Sequence, residues 1–82
     1  MSSYLLEAYT PASALLEEIE ARVRIAAAEL SESGTPVRHV RSIFVPEDET
    51  CFHVLDGPSS EAVAEAARRA GISTPRITRA VS

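Results

Sequence analysis

The chain has 82 residues and a net charge of −4, with twelve acidic side chains against eight arginines and no Lys, Asn, Gln or Trp. That acidic balance argues against a nucleic-acid partner, because phosphate binding needs a positive surface. A single cysteine excludes a disulfide within the chain and fits a reducing cytoplasm, and no apolar run approaches the roughly 20 residues that cross a bilayer. Residues 1–20 lack a basic start followed by an apolar run, so a soluble cytoplasmic protein without a signal peptide is expected.

The predicted elements follow one another without room for linkers or repeats. Residues 4–9, YLLEAY, read as a short apolar strand. Thr10-Pro11 then reads as a helix start, with Thr10 as N-cap and Pro11 in the first turn; Ser13 is an alternative cap. Leu15, Leu16, Ile19, Val23, Ala26, Ala27 and Leu30 recur at helical period and predict one buried stripe. Glu18–Arg22 and Glu20–Arg24 are (i, i+4) pairs in the favourable order, worth about 0.3 kcal/mol each on a solvated face. Gly34-Thr35-Pro36 ends the helix, and Val37 to Val45 is rich in β-branched residues and predicts a long strand.

Pro46 to Glu49 forms a polar turn, Thr50 to Leu55 a returning strand, and Asp56-Gly57-Pro58 breaks it. Ser59 is placed to cap a second helix that carries Glu61 in its first turn. Val63, Ala66, Ala67 and Ala70 are its buried side, and Gly71 closes it with Ile72 packing after it. Arg76 to Val81 is the last strand. The order βαββαβ defines an α+β, ferredoxin-like domain spanning residues 1–82, an antiparallel sheet with both helices on one face. A domain this small buries only about 60% of its unfolded surface, so the open sheet face favours a homodimer.

The segment from Val37 to Val63 holds both histidines, His39 and His53, the lone Cys51, and the acids Glu47, Asp48 and Glu49. Pairing Phe44 with Phe52 and Ser42 with Val54 gathers Val40, Phe44, Phe52 and Val54 beneath the helices. His39, Arg41, Ile43, Val45, Cys51, His53 and Leu55 then share the open face. In that register the two imidazoles lie on the order of 13 Å apart and cannot grip one ion. Each would anchor its own site, completed by water and by carboxylates from Glu47, Asp48, Glu49 or Glu7. Imidazole with oxygen donors suits divalent nickel, copper or zinc, and nothing resembles a closed structural zinc site. Cys51 reads as a small packing residue. Arg38 and Arg41, at odd separation on a strand, are placed on opposite faces and paired with nearby acids.

The runs Pro36-Val37-Arg38, Val40-Arg41-Ser42, Phe44-Val45-Pro46-Glu47-Asp48, Cys51-Phe52, Ser59-Ser60-Glu61-Ala62-Val63, Ala70-Gly71 and Arg76-Ile77 resemble the small actinobacterial nickel-binding proteins of ferredoxin-like fold. The resemblance spans nearly the whole chain, with VPED-x-x-CF its most specific part. It implies a cytoplasmic homodimer that carries nickel near its surface and has no enzymatic activity. Many members of the wider family carry an HRxxHG motif at the end of the second helix. Here that helix reads Ala66-Ala67-Arg68-Arg69-Ala70-Gly71, so both motif histidines are alanines and His39 and His53 must serve instead.

The resulting expectation is a non-catalytic nickel(II)-binding protein, a buffer, store or sensor, with other divalent transition metals as competitors. The alternative is a metal-independent dimeric interaction or regulatory module. An enzyme lacks a supporting constellation: there is no Ser/His/Asp motif, no Gly-rich phosphate loop and no cofactor motif. An acylphosphatase-like activity needs an Asn, and RNA binding on such a sheet needs exposed aromatics beside basic residues.

Overall fold

The computed structural model describes residues 1–81. Strand β1 (Ser2–Tyr9) leads to helix α1 (Leu16–Glu32), strand β2 (Arg38–Val45), a single 3-10 turn at Pro46–Asp48, strand β3 (Thr50–Gly57), helix α2 (Ser60–Arg69) and strand β4 (Arg76–Ala80). The four strands form one antiparallel sheet in the order β2-β3-β1-β4. This is the ferredoxin-like fold that the element order predicts.

Helix α1 starts later than the Thr10-Pro11 signal suggests. Thr10 is buried because its amide donates to the Glu49 carbonyl at 2.8 Å, and the Ala12 amide donates to the Glu49 carboxylate at 3.0 Å. These bonds tie the end of β1 to the β2–β3 turn, so the chain stays irregular until Leu15, which precedes the helix without a side-chain cap. In α2 the local code holds: the Ser59 hydroxyl accepts from the Ala62 amide at 3.2 Å. Gly71, at φ 78°, ends that helix, and the Ile72 amide donates to the Ala67 carbonyl at 2.9 Å.

Alternation on β1 buries Tyr4, Leu6 and Ala8 under the helices. Val23, Ala26, Ala27 and Leu30 of α1 and Ala62, Val63, Ala66 and Ala67 of α2 close over them, while Leu15, expected in the stripe, is exposed. The small side chains let the helices approach closely. Val63 Cγ2 would stand 3.4 Å from a Cβ added at Gly57. Neither Glu18–Arg22 nor Glu20–Arg24 forms an ion pair among the described residues. The helix pairs are Glu65 with Arg68 and Arg69, and Arg69 with Glu29 across the two helices at 3.8 Å.

The register of β2 against β3 corrects the expected hairpin by one residue. Phe44 faces Cys51, Ile43 faces Phe52 and Ser42 faces His53. Because side chains alternate, the slip moves the whole inward set of β3. Cys51, His53 and Leu55 are fully buried under the helices, while Phe52 and Val54 lie half-buried on the open face. A second departure is a bulge between His39 and Arg41, where Val40 is the extra residue and stands 45% exposed. The bulge resets parity within β2, so His39 and Ser42 share the helix face although three positions separate them. For the same reason Arg38 and Arg41 lie on one face, the open one, opposite Asp56 and Val54. Arg38 does find an acid: its guanidinium meets Asp56 at 2.8 Å.

Candidate functional site

Register and bulge together bring the two histidines side by side beneath α1. Their ring centroids are 6.3 Å apart, with planes inclined at 57°. The expected separation of about 13 Å, and with it the picture of two independent sites on an open face, does not survive this geometry. His53 comes from the centre of β3, flanked by Leu6 of β1 and Ser42 of β2. His39 comes from the bulged start of β2, and its side chain is only 5% exposed.

One hydroxyl joins the rings. Ser42 Oγ lies 2.9 Å from His39 Nε2 and 2.5 Å from His53 Nδ1. Glu20 of α1 approaches the same His39 nitrogen at 4.0 Å. Sequence reading missed both Ser42 and Glu20. The (i, i+4) pairing with Arg24 assigns Glu20 to a solvated face, yet it follows Leu16 by four residues and precedes Val23 by three, so it borders the buried stripe. That spacing was the available signal.

Burial governs the electrostatics. It pushes the His53 imidazole down from 6.5 to about 4, helped by the neighbouring His39 and opposed by Glu20. His39 is also lowered by burial, against the raising influence of Glu20. Both rings are therefore neutral near pH 7. Burial and Glu20 push the Cys51 thiol up to about 11, which keeps it protonated and inert. The remaining anomaly is His53 Nε2, which is buried with no hydrogen-bond partner. Such a group costs about 1–3 kcal/mol unless something satisfies it.

The other candidate ligands lie apart from the pair. Glu7 pairs with Phe52 and Arg76 on the open face, so the sheet itself separates it from His53. Glu47 and Asp48 are exposed in the β2–β3 turn, and the Glu49 carboxylate accepts from the Ala12 amide. Neutral imidazoles with one carboxylate match the donor types nickel takes. Their spacing does not match. Among the described residues no group of three His, Cys, Asp or Glu side chains is gathered closely enough to hold an ion. Nor is the cluster wired as a hydrolytic triad, since hydroxyl and carboxylate approach the same nitrogen of His39 rather than opposite ones.

Comparison with known proteins gives the family and the fold. Residues 4–79 match the family described as nickel responsive protein SCO4226-like. The chain belongs to that family. No curated protein matches the sequence. Among solved structures, the fold is similar to a chain of the chemotaxis kinase CheA P2 domain in complex with response regulator CheY, from the thermophile Thermotoga maritima. The TM-score is 0.52 at 15% identity, covering 96% of this chain and 98% of that one. At that identity the likeness concerns the fold alone. Ala66 and Ala70 are buried in the core.

Proposed function

We propose that the protein is a non-catalytic, cytoplasmic nickel(II)-binding protein, a buffer, store or sensor, whose donors come from the cluster of His39, His53 and Glu20; as they stand these three do not enclose one ion, so binding requires Ser42 to give up the ring nitrogens it holds. One observation carries the reading: two neutral imidazoles and a carboxylate meet in one cluster of a chain from a nickel-responsive family. Nickel would supply a Lewis-acidic centre able to take imidazole nitrogen and carboxylate oxygen together. The chain's own part is to keep both rings deprotonated near neutral pH, which burial does. Glu47, Asp48, Glu49 and Glu7 are too distant in the fold to share this cluster; any part they play is at weaker, separate surface sites. Calorimetric titration of metal-stripped protein with nickel should give binding that His39→Ala abolishes. Unchanged binding in a His39→Ala/His53→Ala double variant would refute the donor assignment.

A second reading has its own support. Ser42 already satisfies one nitrogen of each ring, and Leu5, Ile43, Phe52 and Val54 leave an apolar strip on the open face. On this reading the protein is a metal-independent homodimer joined through that strip. Native mass spectrometry after chelation separates the two, because it reports subunit count and bound ions together.

A further inference from the structure

A cavity of about 520 Å³ lies between the first turns of α1, the end of β1 and the segment after α2. That volume takes a small organic molecule. Its walls are held by bonds of the fold itself. Glu49 holds the Thr10 and Ala12 amides on one side, and the Ala67 carbonyl holds the Ile72 amide on the other.

Two features of the lining contribute nothing to the core. Tyr9 and Leu15 are 73% and 64% exposed, although large apolar side chains gain most from burial. Both line the cavity, where half-buried Ile19 and Ile72 extend the apolar wall. The second feature is electrostatic. Glu18 and Arg22 stand one turn apart on α1 in the favourable order for an ion pair. Among the described residues neither pairs with the other or with any third group. Both are exposed and both line this cavity. In addition, Thr74 in the lining holds φ 47°, an uncommon backbone for a β-branched residue and of a kind that concentrates at ligand sites.

The spacing of the two charges decides what fits. Side chains four residues apart on a helix have Cβ atoms about 5–6 Å apart. A ligand that engages both must therefore carry its own two charges close together, and an α-amino acid carries ammonium and carboxylate on one carbon. A simple carboxylate would meet Arg22 but be repelled by Glu18, and a simple amine would meet Glu18 but be repelled by Arg22.

We propose that this cavity binds a zwitterionic α-amino acid with a large apolar side chain. Arg22 donates paired N–H bonds to the carboxylate, and Glu18 accepts from the ammonium. Leu15, Ile19 and Ile72 receive the apolar side chain.

None of these residues is a metal donor, so the proposal goes beyond the nickel reading and is tested without metal. Protein passed over a chelating resin is titrated with L-phenylalanine, 3-phenylpropionate, phenethylamine and glycine, and followed by amide NMR. Phenylalanine should shift Leu15, Ile19, Ile72 and Ser73. The other three, each lacking one charge or the apolar part, should bind about tenfold more weakly or less. Glu18→Gln and Arg22→Gln, both at exposed helix positions, should each weaken phenylalanine by about tenfold with an otherwise unchanged spectrum. Glu18→Gln should also bring phenylpropionate level with phenylalanine. No shift at these amides, binding of any of the three analogues equal to that of phenylalanine in the parent, or full affinity in either variant would each overturn the proposal.

Discussion

At the residue scale the deciding group is the Ser42 hydroxyl, which occupies one nitrogen of each histidine. If these nitrogens serve as nickel donors, the hydroxyl competes with the ion. Ser42→Ala is therefore expected to raise nickel affinity by about tenfold, the equivalent of one lost hydrogen bond, as read by calorimetry. His53 makes a separate prediction for the metal-free protein. Its native imidazole resists protonation until about pH 4, whereas the unfolded one takes a proton at 6.5. In that interval the unfolded state binds more protons, so stability falls as the pH falls. The expected loss is about 2 kcal/mol between about pH 7 and about pH 5, measured by urea unfolding and largely removed in His53→Gln. Arg38 and Ser3 hold Asp56, and Arg68 and Arg69 hold Glu65, below the usual carboxylate values, so their stabilisation is lost only under more acidic conditions. Cys51, buried and pushed up to about 11, should resist a thiol reagent such as dithionitrobenzoate in the native protein and react fully once unfolded.

At the scale of elements, local chemistry and long-range pairing split the outcome. Ser59 and Gly71 act as their sequence positions predict, because a cap and a left-handed terminus depend on neighbours within a few residues. Ser59→Ala should lower unfolding stability by about 1 kcal/mol. Gly71→Ala should cost a comparable amount, about 1 kcal/mol, through its positive φ rather than through crowding, since nothing lies within 4 Å of an added Cβ. Both changes are read as shifted urea midpoints with unchanged slopes. Thr10 had an equally good capping signal and did not become a cap. Its amide is taken by Glu49, a residue 39 positions away, and no local rule could foresee that competition. The bulge at Val40 belongs to the same class. It leaves no mark in a run of β-branched residues, yet it moves His39 to the other side of the sheet.

At the scale of the molecule, both helices cover one face of the sheet and leave Leu5, Ile43, Val45, Phe52 and Val54 on the other. Ile43 is 46% exposed and central to that strip. If two copies meet there, as proposed, Ile43→Glu places a charge in an apolar interface. The variant should sediment as a folded monomer at concentrations where the parent is a dimer. A parent that sediments as a monomer would remove the dimer reading and leave the nickel reading standing. No helix among the described residues is long and apolar enough to cross a membrane.

Element order, helix faces, the α2 cap and terminus, and the family were all legible in the sequence, because periodicity, capping and motif spacing are properties of nearby residues. The site was legible only in part. His39 and His53 could be named as the chemically interesting pair, but not as neighbours sharing Ser42, and Glu20 was hidden among surface acids. A strand pair of period two is sensitive to a single residue of slip or insertion, and this hairpin has one of each. Packing of β3 against β1 and the helices decided which alternate set of side chains turned inward. That choice, made by the tertiary structure alone, converted two separate surface imidazoles into one buried cluster.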